Sequence, residues 1–449
     1  MGPEGPRSAG DRPAGAGARV LVVLPSWVGD TVMATPAIGL LRSCLRGGVM
    51  VAVGRPGAAE LLAGSGELDE VLDIDARSLA GPARAAARLR PLRMDAAVIL
   101  PNSFASAVGV RLAGVPVRVG YDRDGRGMLL THRLAAPRRD PARWERSGWE
   151  PVSAVVYYLR AAWALLVALR QRGWAVGGVP EQEPGMAGAV MRLGVPPGQA
   201  EAARRLLVRA GVPEGELAGD APGGPSGASG AGLAVINPGG NNPAKRWPVE
   251  RFAVVAHHLI ARRGMRVVIN GSPAEAGLAA AIRDAVRLIS PGLAAMIASL
   301  PEHGVTLGSL KGVIARAAVL VTNDTGPRHI AAALGRPCVT LFGPTDPRWT
   351  SLPEDRLNAG PCADAGGHAD AGEAVGAGMA GDECAVGLSA VRGRPREAVI
   401  TPAPPLPASM VADEHPERCR IQSIPIERVI GAVEAVLGGA TDRAGQAGH

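Results

Sequence analysis

Residues 320–335 read LVTNDTGPRHIAAALG. The apolar run at the start is typical of a buried strand, and Asn323-Asp324 interrupts it. A helix should begin near Thr325-Gly326-Pro327, because proline suits the first helical position, and Gly335 followed by Pro337 should end it. We therefore predict a strand–turn–helix unit. Its turn offers free backbone N–H groups and the positive end of a helix dipole to a ligand.

Two side chains of this unit are candidate ligand contacts. Asp324 would repel a phosphate, so its expected partner is a sugar or ribose hydroxyl, or a neighbouring backbone N–H. His329 lies about one turn inside the helix and should reach the same ligand. The next predicted strand, residues 338–342, also ends in a polar turn, which places both turns at the ligand-binding edge of a parallel sheet. For the Asp-Thr-Gly motif alone, ordinary turn and capping chemistry is an equal alternative.

The rest of the chain repeats this alternation of strands and helices. Its 449 residues are too long for one core and suggest two domains plus additions. Alternating strands and helices predict an α/β architecture with parallel sheets. The G-x-G-x-x-G fingerprint of dinucleotide-binding proteins is absent from the turn after the first strand. Strands are predicted at residues 20–24, 49–53, 70–74, 96–100, 117–120, 233–236, 266–269, 319–322 and 338–342.

Composition shifts predict the domain boundaries. Residues 1–18 and 359–415 are Ala/Gly/Pro-rich, and we interpret them as a disordered tail and a low-complexity surface insertion. The predicted division is a tail at 1–18, an N-terminal acceptor-side domain at 19–180, a connecting segment and linker at 181–231, a C-terminal nucleotide-sugar domain at 232–358, the insertion at 359–415, and a closing helix at 416–438.

Four segments carry more specific predictions. Residues 31–45 are predicted to form one helix, residues 118–146 a flexible basic loop, and residues 189–193 a short strand-like piece. Residues 152–169 are almost wholly apolar, but Arg160 at the centre would cost about 3 kcal/mol in a membrane. We therefore predict a packed inter-domain helix there, with a membrane span as the alternative.

Positive charge is concentrated in the first part of the chain. Residues 1–180 contain 23 arginines and 15 acidic residues, a formal net charge of +8, whereas the remainder carries −1. This asymmetry indicates an anionic partner for the N-terminal part, either nucleic acid, an acidic lipid surface or an acidic substrate. A solvated arginine-rich face is the alternative. The five cysteines have no zinc-finger or redox spacing and are expected to be reduced thiols, although the last three could bind metal.

Rare polar residues cluster after predicted strands. Lys245 and Lys311 are the only lysines among 48 basic residues, which suggests that each supplies a compact charge that arginine could not. Five of the seven asparagines follow strands of the C-terminal half, at positions 237, 241, 242, 270 and 323. Amides, glycines and one lysine suit the diphosphate of a nucleotide, and Asp30 in the other half suits a general base.

Three ordered segments resemble one known family. Residues 20–42, 237–248 and 323–347 are similar to the corresponding motifs of the ADP-heptose:lipopolysaccharide heptosyltransferases, glycosyltransferase family 9, and Cys419 with the helix at 426–436 fits their C-terminus more loosely. The resemblance covers roughly residues 19–145 and 233–350. It implies a GT-B fold, in which two Rossmann-like domains face each other across a cleft. The segments at 212–231 and 359–415 and the N-terminal tail depart from the family and leave the acceptor sugar open.

The resemblance also implies an activity and its residues. The expected reaction is an inverting transfer of heptose from ADP-heptose to a lipid A–core acceptor, without a metal or other cofactor. Asp30 would be the catalytic base. The donor would be held by Lys245, Asp324, Thr325, Gly326, His329 and Asn241. The uneven charge of the chain, rather than the resemblance, predicts that Arg123 and Arg126 of the basic half meet the acidic glycolipid acceptor.

The charge and the expected acceptor also predict where the protein works. The protein is expected to be cytoplasmic and peripheral on the anionic inner face of the membrane, with no nucleic-acid partner. Asp30 could instead cap a helix, Lys245 could be a surface charge, and His329 could be a core residue. A sugar-nucleotide epimerase or hydrolase, or a non-catalytic sugar-nucleotide-binding protein, would share the donor site.

Overall fold

The computed structural model describes residues 17–74, 80–217, 232–353, 387–391 and 394–438. They form two α/β domains, each built on a mainly parallel sheet. The N-terminal sheet has the strand order β3-β2-β1-β4-β5-β6, and every neighbouring pair in it is parallel. Its strands are β1 Arg19–Val23, β2 Val49–Gly54, β3 Glu70–Asp73, β4 Ala96–Ile99, β5 Val117–Tyr121 and β6 His132–Leu134.

The second sheet has the order β12-β13-β11-β10-β7-β8-β9. Its pairs are parallel except for the antiparallel β12–β13 pair. The strands are β7 Leu233–Asn237, β8 Arg266–Ile269, β9 Ile297–Ser299, β10 Ala317–Asn323, β11 Cys338–Leu341, β12 Gly387–Val391 and β13 Arg394–Ile400. The motif of residues 320–335 therefore spans the end of a central strand and the helix that follows it.

Helices cover the faces of both sheets. Those of the first domain are α1 Val28–Met33, α2 Thr35–Cys44, α3 Ala58–Leu62, α4 Gly81–Leu89, α5 Phe104–Leu112 and α6 Ala154–Gln171. Those that follow are α7 Pro197–Arg209, α8 Val249–Arg263, α9 Ala276–Ile289, α10 Leu307–Arg316, α11 Gly326–Ala333 and α12 Ile426–Gly438. The central strands are almost fully buried, as expected for a parallel sheet covered on both faces.

The apolar helix predicted at 152–169 is α6. It packs on α2 and on β4 of the first sheet, and Ser153 at its N-cap donates a hydrogen bond to the Ser351 carbonyl at 2.7 Å. The helix therefore contacts both parts of the chain, as predicted. In the described ranges, no helix combines the length and apolarity needed to cross a membrane.

Several predicted elements differ from the structure. The helix predicted at 31–45 is divided into α1 and α2, because Pro36 in the first turn of α2 cannot continue a preceding helix. Residues 189–193 form no strand. The predicted basic loop contains the strand β6, and the strand β9 was not predicted at all. Both strands have three residues, which is too few to show the alternating pattern of a strand.

The largest correction concerns the predicted insertion. Its later part contains β13, which pairs in parallel with β11, so that Glu397 lies beside Cys338 and Ile400 beside Leu341. Two of its apolar side chains, Ala398 and Ile400, are fully buried. The strand is held by tertiary pairing rather than by a local apolar pattern, which explains why the sequence reading missed it. Residues 359–386, the first part of the predicted insertion, lie outside the described residues, as do 1–16 of the predicted tail.

Candidate functional site

Asp30 lies in the first turn of α1, directly after the turn that follows β1. Its Oδ1 accepts a hydrogen bond from the Tyr158 hydroxyl at 2.9 Å. Burial raises the pKa of Asp30, and the Tyr158 hydrogen bond partly offsets this rise. Asp324 raises the same pKa further, while Lys245 lowers it. The structure thus brings Asp30 within electrostatic reach of two residues from the opposite domain.

The two domains touch at this point through a pair of glycines. A Cβ on Gly29 would lie 2.5 Å from Cδ2 of His329, and one on Gly326 would lie 3.1 Å from Cβ of Val28. Any larger residue would push α1 away from the N-terminus of α11. Gly29 and Gly326 therefore set the close approach between the helix that carries Asp30 and the helix of the predicted donor motif.

Lys245 and Asp324 form an ion pair in the cleft. Nζ of Lys245 lies 3.4 Å from Oδ2 of Asp324, and 27% of the lysine side chain is exposed. Oδ1 of Asp324 is 3.3 Å from Nη1 of Arg328. A single carboxylate therefore faces two cations, and Lys245 is the one that solvent or a ligand can reach.

Arg328 is the buried centre of a larger network that the sequence reading missed. Its guanidinium forms a two-pronged ion pair with Glu397, with Nε–Oε1 at 2.5 Å and Nη2–Oε2 at 3.1 Å. Thr340 donates to Oε1 of Glu397 at 2.6 Å. Nη1 of Arg328 donates to the Thr350 hydroxyl at 2.9 Å. The strand β13 is thereby linked, through Arg328, to Asp324 at the cleft.

Thr325 and the asparagines form a second polar network at the ends of β7, β8 and β10. The amide of Asn237 donates to the Thr325 hydroxyl at 3.0 Å, and Asn270 donates to Asn237 at 2.7 Å. Asn323 donates to the carbonyls of residues 238 and 239 at 2.8 and 3.1 Å. These buried amides fix the loop backbone, so most of the clustered asparagines support the site rather than face a ligand.

Asn241 is exposed and lines a pocket beside this network. Glu275 shapes the pocket by accepting hydrogen bonds from the backbone N–H of Gly240 at 2.9 Å and of Ser272 at 2.8 Å. Burial acts to raise the pKa of Glu275, but these bonds outweigh it together with the other nearby donors, and the pKa is lowered. Glu275 was also missed, although the Ser-Pro-Ala-Glu spacing of a capping box was visible in the sequence. The pocket is lined by Gly240, Asn241, Arg246, Ser272, Ala274, Glu275, Gly277 and Leu278.

His329 is buried against Gly29 at the domain contact. Burial, reinforced by Arg328, lowers the pKa of His329 to about 3, so the ring is neutral. Its Nδ1 is buried and has no hydrogen-bond partner among the described residues. The ring is thus positioned between the two domains, with one nitrogen still able to pair.

The two predicted acceptor arginines have different environments. Arg126 is fully buried, and its guanidinium donates to the carbonyls of Ile99 and Pro101 at the end of β4 and of Tyr121 at the end of β5. Burial lowers the pKa of Arg126 to about 10. The prediction that Arg126 contacts an acceptor is therefore corrected: its donors are already occupied by the backbone, and it holds the strand ends together.

Arg123 is partly exposed and lies over the ring of Trp149, with Cζ 4.2 Å from the ring centroid. Arg138 lies over the same ring at 4.3 Å. Burial raises the pKa of Tyr157, the residue next to Tyr158, and Arg123 partly offsets this rise. The contact of Arg123 with an acceptor stays a prediction.

Lys311, the second lysine, lies away from the cleft. Its ammonium group is fully buried and donates to the carbonyls of Leu61, Ala63 and Gly194 at 2.7, 2.9 and 2.8 Å. Burial lowers the pKa of Lys311 to about 8. These contacts join α10 of the second domain to the end of α3 in the first. Three backbone acceptors surround this one nitrogen, which is consistent with the predicted need for a compact charge.

Metal ligands are not gathered in the part of the chain that the structure describes, where no three His, Cys, Asp or Glu side chains could hold one ion. Cys44, Cys338 and Cys419 are buried free thiols. Cys362 and Cys384 of the predicted insertion lie outside the described residues. Independence from metal stays a prediction.

The chain is similar to known proteins in sequence and in fold. Residues 215–362 match the family described as glycosyltransferase family 9 (heptosyltransferase). Lipopolysaccharide heptosyltransferase 2 of Salmonella typhimurium (strain LT2) is 30% identical over 344 residues, which cover 74% of this chain and 84% of that protein.

Two solved structures share the fold. One is E. coli ADP-heptose lps heptosyltransferase II, with a TM-score of 0.62 and 22% identity, covering 93% of this chain and 98% of that chain. The other is E. coli heptosyltransferase WaaC with ADP, with a TM-score of 0.50 and 21% identity, covering 74% and 89%. The predicted fold class, two Rossmann-like domains facing across a cleft, is confirmed.

Proposed function

Because this chain belongs to glycosyltransferase family 9, the heptosyltransferase family, we propose that it transfers heptose from ADP-heptose to the inner core of a lipopolysaccharide acceptor. The observation that carries the proposal is the meeting of Asp30 with Lys245 and Asp324 across the domain contact. A candidate base from one domain and a cation from the other then flank the space that a sugar nucleotide would fill.

The base has a defined task in this reaction. A sugar hydroxyl is far too weak an acid to ionise at neutral pH, so it needs a positioned base as it attacks the anomeric carbon. Asp30 takes that proton. Attack on the face opposite the departing ADP inverts the anomeric configuration in one step, without a covalent enzyme intermediate.

The donor domain stabilises the leaving group. Negative charge grows on the diphosphate as the glycosidic bond breaks. Lys245 meets this charge, together with the backbone N–H groups at Thr325-Gly326 at the start of α11. Asp324 and His329 position the sugar or ribose, and Asn241 with its pocket receives the nucleoside portion. No metal or other cofactor is assigned a step in this scheme.

The N-terminal domain is assigned the acceptor. Its formal charge of +8 over residues 1–180 favours an acidic glycolipid, and Arg123 is the side chain we assign to that contact. The acceptor is a membrane lipid, so the protein is proposed to work in the cytoplasm at the anionic inner face of the membrane. This charge serves the lipid surface and acceptor rather than nucleic acid.

One assay separates the candidate activities. Purified protein is incubated with ADP-heptose and with lipid A–core acceptors that lack the terminal heptose. The proposal predicts transfer of heptose to lipid and release of ADP. Release of ADP with free sugar would indicate a hydrolase, altered sugar nucleotide an epimerase, and binding without turnover a non-catalytic protein. Any of these three results without transfer contradicts the proposal.

A further inference from the structure

Tyr158 is a buried tyrosine whose hydroxyl donates to the candidate base. It lies on α6, 6% exposed, and its hydroxyl is 2.9 Å from Oδ1 of Asp30. Burial raises the pKa of Tyr158 well above its ordinary value, and the nearby charge of Asp30 raises it further. The hydroxyl therefore keeps its proton at neutral pH and acts as a donor.

The hydroxyl of Tyr158 is the side-chain donor to the base. Among the described residues, no other side chain donates a hydrogen bond to the carboxylate of Asp30. Tyr158 thus holds Oδ1, a backbone N–H also favours the ionised carboxylate, and Oδ2 accepts no side-chain hydrogen bond among the described residues. A carboxylate held at one oxygen has a fixed orientation, which a proton transfer requires.

A second tyrosine shows what a purely structural hydroxyl does in this domain. Tyr121 is equally buried, but its hydroxyl donates to the main-chain carbonyl of Tyr157 at 2.9 Å. Both tyrosines satisfy the rule that a buried hydroxyl needs a partner. They differ because Tyr158 satisfies it with an ionisable group that the proposed reaction uses.

We propose that Tyr158 is the positioning residue of the base: it holds Oδ1 of Asp30 so that Oδ2 receives the proton of the acceptor hydroxyl. This inference rests on the proposed function. The proton moves to Oδ2 as the acceptor oxygen bonds to the anomeric carbon, and the electron pair of the broken bond leaves with ADP. The same hydrogen bond favours the ionised carboxylate and opposes the rise in the pKa of Asp30 caused by burial.

Tyr158→Phe tests the proposal by removing one oxygen atom. The pKa of Asp30 should rise, so the acid limb of the pH profile of kcat/KM should move upward by about one pH unit. At neutral pH, kcat should fall roughly tenfold or more, since the base is both less ionised and less well oriented. The KM for ADP-heptose should stay within about twofold, because the hydroxyl that is removed is hydrogen-bonded to Asp30 rather than to a residue of the proposed donor site.

Tyr121→Phe is the matched control, since it removes one buried hydroxyl of the same domain. It should leave the acid limb where it is in the wild type. An acid limb that does not move in Tyr158→Phe, or that moves equally in both variants, overturns the proposal. If Tyr158→Phe does not fold, 3-fluorotyrosine at position 158 is a stronger donor and should move the acid limb downward, and an unmoved limb again overturns it.

A measurement without turnover separates this inference from the proposed function. The carboxyl ¹³C resonance of Asp30, identified by its loss in Asp30→Asn, is titrated in the wild type and in Tyr158→Phe. A higher pKa of Asp30 in the variant supports the hydrogen bond even if no heptose transfer is found. Equal pKa values overturn the role of Tyr158 whatever the reaction is.

Discussion

Two of the regions that join the domains of this protein treat their charged groups in opposite ways. In the cleft, Lys245 has one long ion pair, of 3.4 Å to Asp324, and is partly exposed. At the other contact, Lys311 is fully buried and places three N–H donors on three carbonyls within 2.9 Å. One lysine retains free hydrogen-bonding capacity, and the other has none left.

The difference indicates which contact is built for a ligand. A buried cation with every donor satisfied stabilises one arrangement of the chain and gains nothing from a further partner. Among the described residues, the cleft instead holds the loosely paired Lys245, Asp30 with a single side-chain donor and His329 with an unpaired ring nitrogen. Substitutions in the cleft should therefore reduce activity with little effect on stability, and substitutions of Lys311 should do the reverse.

The largest effect is expected for Asp30→Asn. Loss of the base should lower the rate of heptose transfer about 10²–10⁴-fold, while ADP affinity stays within a few-fold of the wild type. The measurements are single-turnover kinetics and calorimetric ADP titration, with Asp284→Asn on an exposed helix surface as the control. A variant that keeps more than about a tenth of the wild-type rate would remove Asp30 from its role.

Lys311→Met should act on stability instead. The variant leaves three main-chain carbonyls without this donor, and Leu61 is buried whereas Ala63 and Gly194 are partly buried. A buried unsatisfied group costs about 1–3 kcal/mol and a partly buried one less, so the free energy of unfolding should fall by about 2 kcal/mol or more. Chemical denaturation measures this, and ADP affinity of the folded variant should not change. A loss of stability below about 0.5 kcal/mol, the level of an ordinary surface substitution, contradicts the comparison.

Lys245→Ala should weaken donor binding by about 1.5–3 kcal/mol, the range for hydrogen bonds to charged groups. AMP has no second phosphate, so its affinity should fall less than that of ADP. Titration of both nucleotides into wild type and variant gives the two ratios. Equal losses for AMP and ADP would mean that Lys245 does not contact the diphosphate.

The stability of the protein should also depend on pH through the buried lysine. The pKa of Lys311 is lowered to about 8 in the folded protein, against about 10.4 in an unfolded chain. Between these values the unfolded chain binds more protons, so the wild type should gain stability relative to Lys311→Met as pH rises from about 8 to about 10.5. Denaturation at several pH values tests this, and a difference that falls over the same range contradicts the lowered pKa.

Local sequence predicted those polar residues of the cleft that follow closely after an apolar strand. Asp30, Lys245 and Asp324 each follow a buried apolar strand, and parallel strands deliver such residues to one edge. The β-branched and apolar runs of the sequence also predicted the long central strands. Short or edge strands such as β6, β9 and β13 depend on pairing with neighbours, which sequence periodicity does not reveal.

Partners distant in sequence were not predictable in this way. Tyr158 lies 128 residues from Asp30, and Glu397 lies 69 residues from Arg328. Each is brought to the site by the packing of a helix or strand whose own sequence carries no sign of the contact. Arg126 shows the converse error: its charge suggested an exposed ligand contact, but the fold directs its donors to main-chain carbonyls.

The anomeric configuration of the product tests the central claim most directly. NMR of the heptose transferred to the lipid acceptor gives this configuration, and it is compared with that of the ADP-heptose supplied. Asp30 as a base, facing a leaving group held by Lys245, predicts a single displacement and therefore an inverted configuration. A retained configuration would require two displacements or a different attacking group, and it would contradict the arrangement of base and donor site described above.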